Sequence, residues 1–236
     1  MAKIIQVKNL CKSYGSQQVL KDISFEYESG QFIGLLGPNG CGKTTLIKIM
    51  TGLINDYSGE VLIDGHKPDV HTKQLIAYLP ENCYLPDWMR AGDAIKYIAD
   101  FYDDFQMEKA MSMLETFGLS EKQRIKSMSK GMREKLQLLV VVCRNAKLYI
   151  LDEPWGGVDP AARSFILDVI MKNLPKDATV FISTHLIHDA EAILDKALMI
   201  GRGQILRNDK VENGKIGDQT IEDVFKEVFS YAWQVN

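Results

Sequence analysis

Residues 37–44 read Gly37-Pro38-Asn39-Gly40-Cys41-Gly42-Lys43-Thr44, the pattern G-x-x-x-x-G-K-[ST]. Glycines let such a loop turn sharply and point several backbone N–H groups inward, and a helix that follows adds partial positive charge at its N-terminus. In that setting the Lys43 ammonium reaches the β- and γ-phosphates of a nucleoside triphosphate, and the Thr44 hydroxyl holds Mg²⁺. The flanks supply the setting. "QFIGLLG" reads as a buried strand, and "GKTTLIKIMTGL" carries Leu46, Ile49, Met50 and Leu53 at helical spacing. A second chemical feature is "LYILDEP" (148–154), an apolar run that ends in Asp152 and Glu153. Carboxylates at the carboxyl end of a parallel strand face the crevice where ligands bind. There Asp152 holds the Mg²⁺ directly or through water, and Glu153 orients or polarises a water that attacks the γ-phosphate. His185 closes the next apolar run, "FISTH", and emerges on the same crevice edge, in reach of that phosphate. His66 and His71 sit in a polar turn region and His188 follows one turn after His185, and none of the three suggests chemistry.

A further stretch, "SMSKGMREKLQ" (127–137), places a serine, a lysine and a glycine just before an apolar helical run. Cations there oppose the helix macrodipole by roughly 0.3–1 kcal/mol each. The arrangement makes sense if an anion docks at that helix start. Arg133 and Lys135 belong either to that anion or to a solvated helix face.

These groups need elements to hold them. "IIQVKNL" has strand character, "QQVLKDISFEYESG" reads as strand, short break, strand, and "GEVLIDGHKP" is a strand ending in a turn at Asp64-Gly65. "LIAYLP" is another strand, stopped by Pro80. From about 83 to 145 "GDAIKYIADFY", "MEKAMSMLETFGL" and "GMREKLQLLVVVCRN" all carry helical periodicity, which predicts a helical insertion. "ATVFISTH" and "ALMIGRGQIL" restore strands, and "TIEDVFKEVFSYA" is an amphipathic helix with Thr220 as a candidate N-cap. Alternating strands and helices argue for a mostly parallel α/β sheet.

The bulk properties narrow the function. A net charge of −3 leaves no electrostatic footprint for nucleic acid. The four cysteines form no C-x-x-C pair and no zinc spacing, as expected of reduced thiols in a cytosolic protein. "MAKIIQVKNL" lacks a signal-peptide pattern, and "LQLLVVVC" is far short of a membrane span, so work at a membrane requires a partner.

Taken in order along nearly the whole chain, these features resemble the ATPase subunits of ABC transporters, and "S-K-G-M-R-E-K-L" is similar to bacterial ATPases paired with separate, exporter-like permeases. The resemblance implies a P-loop NTPase (RecA-like) α/β core with an N-terminal antiparallel β subdomain (1–82 and 146–236 together) and an inserted helical subdomain (83–145). "GPNGCGKTT" is similar to the family's Walker A motif, which adds Thr45 to the nucleotide contacts, and "LYILDEP" is similar to its Walker B motif. Tyr14 resembles the aromatic residue that stacks on adenine, Glu153 the catalytic glutamate, His185 the switch histidine and Asp159 the acidic D-loop residue. Where the family carries L-S-G-G-Q this chain has Met128-Ser129-Lys130-Gly131-Met132. Ser129 and Gly131 are kept and would contact the γ-phosphate of ATP held by the opposite subunit, with Lys130 adding a charge nearby. Glu81 stands where the family has glutamine and is a candidate Mg²⁺ ligand. Trp155, in a position that is often a small hydroxyl residue, either packs at the dimer seam or fills a gap in the core. Tyr84, Leu85, Trp88 and Met89 lie where the family docks its membrane subunit. The implied activity is ATP hydrolysis by a homodimer or heterodimer closing on two Mg-ATP, at the cytoplasmic face of the membrane, driving a permease in export. The alternatives are an ABC-type ATPase acting with soluble partners and a regulatory module without turnover.

Overall fold

The computed structural model describes residues 3–156 and 160–234. Among them the chain forms β1 (Lys3–Tyr14), β2 (Gln17–Glu28), β3 (Phe32–Leu36), α1 (Lys43–Met50), β4 (Ser58–Ile63), α2 (Val70–Leu75) and β5 (Ile76–Leu79). Three helices follow without an intervening strand: α3 (Ala91–Ala99), α4 (Met107–Thr116) and α5 (Lys130–Val142). The remaining elements are β6 (Leu148–Asp152), α6 (Pro160–Asn173), β7 (Thr179–Thr184), α7 (Ile187–Ala190), β8 (Lys196–Gly201), β9 (Gln204–Lys210), β10 (Lys215–Ile216), β11 (Gln219–Thr220) and α8 (Ile221–Gln234).

The central sheet has six strands in the order β5-β6-β7-β3-β8-β9. All of its pairs are parallel except β8–β9, an antiparallel hairpin at one edge. Strands buried on both faces explain the continuous apolar runs of β3, β6 and β7. Their side chains alternate between two cores. Ile33, Leu35, Ile150, Phe181 and Leu198 pack with α1 residues Leu46 and Ile49 and with the antiparallel sheet. Leu36, Leu151, Ile182 and Met199 pack instead with the helical insertion, including Leu114, Leu136 and Leu139. The sheet thus carries the phosphate-loop helix on one face and the insertion on the other.

The antiparallel sheet has the order β2-β1-β4. The break expected inside "QQVLKDISFEYESG" does not occur, since residues 17–28 form one strand. The irregularity is absorbed by register shifts against β1, with Asp22 at φ 52°. The Asn9 side-chain amide donates to the Asp22 carboxylate at 2.8 Å and the Asn9 backbone N–H to the Ser24 hydroxyl at 2.8 Å, so the kinked ladder keeps partners. At the other end of the chain the Asp223 N–H donates to the Thr220 hydroxyl at 3.1 Å, the cap expected there.

One arginine ties the insertion to the sheet. Arg144, just past α5, is 3% exposed. It ion-pairs with Asp104 between α3 and α4, and donates to the carbonyls of Gln74 in the last turn of α2 (2.6 Å) and of Ile76 at the start of β5 (3.2 Å). Its guanidinium lies 3.5 Å from the centre of the Tyr102 ring. Removing it leaves a carboxylate and two carbonyls without their donor. Arg144→Met should lower the unfolding free energy by about 3 kcal/mol, the usual result of breaking a buried pair from one side. A urea titration followed by far-UV circular dichroism checks this.

Candidate functional site

The phosphate loop leaves β3 and enters α1 with Gly42 in a left-handed conformation (φ 111°). A Cβ there would meet Leu20 Cδ2 at 2.8 Å. At Gly37 a Cβ would meet the Ile200 carbonyl at 2.3 Å, so the back of the loop rests directly on β8 and only glycine fits. Cys41 is buried in the same region, and burial raises its thiol pKa above the ordinary value. No side chain caps the first turn of α1, and no acidic residue lies in it, an electropositive helix start suited to an anion.

Lys43 is 6% exposed and folds into the loop. Its ammonium donates to the Gly37 carbonyl at 2.8 Å and the Pro38 carbonyl at 3.3 Å, and lies 3.3 Å from Glu153 Oε1. Glu153 Oε2 is 2.8 Å from His185 Nδ1 and also accepts the His185 backbone N–H at 3.4 Å. The Glu153 backbone is at φ 49°, a strained setting for a residue with a Cβ. Its N–H donates to the Ser183 carbonyl (3.1 Å) and hydroxyl (3.0 Å), which pins the turn after β6 to β7.

Asp152 is paired in register with Ser183 across β6 and β7. The Ser183 hydroxyl donates to Asp152 Oδ1 at 2.6 Å, and the Thr44 hydroxyl donates to the same oxygen at 3.4 Å. Oδ2 is buried with no hydrogen-bond partner. Burial raises the Asp152 pKa above the usual carboxylate value, against the lowering effect of those two hydroxyls. An orphaned carboxylate oxygen beside a threonine hydroxyl fits Mg²⁺, which takes few protein ligands and fills its shell with water and phosphate oxygens. Among the described residues no group of three or more His, Cys, Asp or Glu is arranged to hold a metal ion.

A cleft of about 610 Å³ is lined by Asn39, Gly40, Gly42, Lys43, Thr44, Thr45, Glu81, Lys130, Glu153 and His185. Glu81 is exposed at its edge. Tyr14, at the end of β1, is about half exposed. Ser129 and Gly131 are exposed at the start of α5, where the Ser129 hydroxyl oxygen accepts the Met132 N–H at 3.3 Å as an N-cap. Its hydroxyl hydrogen is left to donate elsewhere. The cations of that helix start divide. Lys130 is 71% exposed, 3.7 Å from Glu134, while Arg133 pairs with Asp87 at 3.0 Å and Lys135 lies 5.0 Å over the Phe165 ring. Arg133 and Lys135 are therefore engaged within their own chain.

Trp155 belongs to the core. It is 1% exposed and its indole N–H donates to the Thr184 hydroxyl at 3.0 Å. The loop 84–89 splits in the same way, with Leu85 and Met89 buried and Tyr84 and Trp88 exposed. Asp159 lies outside the described residues. Ser183 and Thr184 were not singled out as site residues by the motif reading, although they stand inside "FISTH". Gln137 was also missed, and its side-chain amide ties α5 to the Pro80 carbonyl at 2.8 Å.

A family profile described as "ABC transporter" matches residues 20–156. The ABC transporter ATP-binding protein YxlF of Bacillus subtilis (strain 168) is 34% identical over 222 residues, covering 92% of this chain and 74% of YxlF. The SkfA peptide export ATP-binding protein SkfE of the same organism is 30% identical, over 87% of this chain and 89% of SkfE. The lantibiotic transport ATP-binding protein SrtF of Streptococcus pyogenes is 28% identical, over 94% of this chain and 96% of SrtF. Among solved structures, an ATP-binding subunit of an ABC transporter superposes with a TM-score of 0.85 at 26% identity, covering 96% of this chain and 99% of that one. The cassette MJ0796, a dimer in a post-hydrolysis state bound to ADP and Pi, has the same fold, with a TM-score of 0.78 at 21% identity over 88% of this chain and 99% of that one. This chain belongs to the ABC transporter ATP-binding family. It is an ATPase of that family, the ATP-binding subunit of a transporter.

The buried carboxylate of Asp152 generates a test on the nucleotide-free protein. Its raised pKa means that the protonated form is favoured in the fold, so stability is fully present below the unfolded value of about 3.9 and is lost as pH rises through the folded value. In chelator, Asp152→Asn should melt a few degrees higher than wild type at pH 7, and the gap should close toward pH 4. Thermal melts across that range measure it.

Proposed function

We propose that this chain is the ATPase subunit of an exporter-type system, with two copies, or this chain and a related one, closing head to tail on two Mg-ATP and driving a separate permease. The observation that carries the hydrolytic half is the Glu153 carboxylate shared between Lys43 at 3.3 Å and His185 at 2.8 Å. A triphosphate entering the loop offers Lys43 phosphate oxygens in place of Glu153 and the loop carbonyls. Glu153 is then free to accept a proton from a water whose oxygen attacks the γ-phosphorus. The bond to the bridging β,γ-oxygen breaks, ADP keeps that electron pair, and His185 keeps Glu153 aimed at the water. Tyr14 stacks on the base, residues 37–45 hold the phosphates, and Thr44 with Asp152 would hold Mg²⁺, Glu81 adding a ligand from the cleft edge. That ion supplies charge neutralisation at the β- and γ-phosphate oxygens.

The dimer half draws support from Gly131. A Cβ there would meet nothing within 4 Å, so no neighbour in its own chain excludes a larger residue. Glycine inside a helix is less favourable than alanine by about 1 kcal/mol. A glycine that nothing in its own chain demands leaves the exposed start of α5 open to close approach from outside, and the phosphate held by the opposite subunit fits there, with Ser129 donating to it.

The membrane half draws on a groove of about 590 Å³ lined by Thr51, Leu53, Tyr84, Ile98, Tyr102 and Arg144. Exposed Tyr84, and Trp88 from the same loop, offer aromatic surface for a permease at the inner face of the membrane. No helix among the described residues is long and apolar enough to cross a membrane itself. The export direction follows the name of SkfE.

Glu153→Gln should keep ATP binding, lower hydrolysis by about a hundredfold or more, and trap an ATP-dependent dimer on gel filtration. Hydrolysis at the wild-type rate would remove Glu153 from the role of base. Gly131→Ala placed in that background should leave the monomer as stable or up to about 1 kcal/mol more stable, while abolishing the trapped dimer. For the membrane partner, affinity purification from native membranes should recover a polytopic protein, and Trp88→Glu should lose it without changing ATP binding. Recovery of a soluble scaffold instead would overturn the proposal of a separate permease as its partner.

A further inference from the structure

Lys12 and Tyr14 lie two residues apart at the end of β1, so their side chains leave the same face of the strand. Their exposures run against expectation. The lysine is 6% exposed and the tyrosine 49%, whereas lysine is among the residue types least often buried and its ammonium ordinarily reaches for water. The Lys12 ammonium sits 4.8 Å from the centre of the Tyr14 ring, inside the range of a cation–π contact. It also lies 3.1 Å from the Asp56 carboxylate. Asp56 is fully exposed, and a pair with so wet a partner is too weak to hold a lysine down by itself. The ammonium is therefore pinned between a carboxylate and an aromatic face.

We infer that Lys12 is a positioning residue for the nucleotide base, acting through Tyr14. This rests on the reading of Tyr14 as the residue that stacks on adenine. With the ammonium over one face of the ring, the other face is the surface left for a base. The cation holds the ring against rotation and draws π-density away from the open face, which strengthens stacking of an electron-rich purine there. The contribution falls on the base and leaves the triphosphate untouched.

Calorimetric titration of the full chain with Mg-ATP and with inorganic triphosphate separates the two. Tyr14→Ala should weaken ATP and leave triphosphate unchanged. Lys12→Met should weaken ATP by about two- to fivefold, again without effect on triphosphate. Lys12→Arg, which keeps a cation over the ring, should restore ATP binding. In a Tyr14→Ala background Lys12→Met should add nothing. Lys12→Gln serves as a second neutral variant, and a thermal melt checks that each protein is folded. The inference is overturned if Lys12→Met weakens both ligands alike, if its effect persists undiminished without Tyr14, or if it leaves ATP binding intact while Tyr14→Ala weakens it. If Tyr14→Ala itself leaves ATP binding unchanged, the stacking role of Tyr14 falls, and the role of Lys12 falls with it.

Discussion

The largely buried carboxylate of Glu153 is held from three directions, and the rest of the site is arranged around it. It is 8% exposed at the side chain, with Lys43 on one oxygen and His185 on the other. Its backbone is fixed by Ser183 in a left-handed conformation that positions the carboxylate between them. Leaving a buried charge without its partner is costly, usually by about 3–5 kcal/mol. The phosphate loop, the end of β6 and the end of β7 therefore form one electrostatic unit, and a ligand that engages Lys43 acts on Glu153 as well.

The sheet order makes that unit possible. β3 lies directly beside β7, and β7 beside β6, although the three are far apart in sequence. Parallel pairing brings their carboxyl ends to one edge, where Lys43, Asp152, Glu153, Ser183 and His185 meet. The two cores on opposite sides of the sheet then divide the work. α1 holds the phosphate loop on one face, and α5 carries Ser129 and Gly131 on the other. The contacts from Gln137 to Pro80 and from Arg144 to Gln74 and Ile76 run from the insertion to both ends of β5. Glu81 follows directly on Pro80, so a short, hydrogen-bonded path joins the helical insertion to the edge of the cleft.

Much of this was legible in one dimension because phosphate chemistry demands particular residues at fixed spacing. Glycines at 37, 40 and 42 are needed where a loop turns tightly against β8 and β2, and a Cβ at 37 or 42 would collide with its neighbours. The acidic end of β6 could be read because a buried strand is continuously apolar and two carboxylates interrupt that pattern abruptly. The helical insertion showed its 3.6-residue period. The short helix α2 carried no such signal, since six residues are too few to show one. The bulge in β2 resembled a break because Lys21 and Asp22 interrupt the apolar pattern, while the ladder continues through side-chain bonds from Asn9 and Ser24.

The sequence by itself determined the chemistry of the site, because the phosphate loop and the acidic strand end each lie within a few consecutive residues whose backbone geometry is local. Only the tertiary structure decided which neighbours those residues have. Trp155 was open between a dimer seam and the core until β7 placed Thr184 under its indole N–H. Arg133 and Lys135 were open between an anion and solvent until Asp87 and Phe165 were found beside them. Of the four large side chains in the loop 84–89, two turn inward and two outward, a choice made by packing that a run of apolar letters does not encode. The puzzle of cations at the start of α5 narrows to Lys130, which lines the same cleft as Lys43 and Glu153. Charge and hydrophobicity are properties of a residue, whereas pairing and burial are properties of what the fold brings next to it.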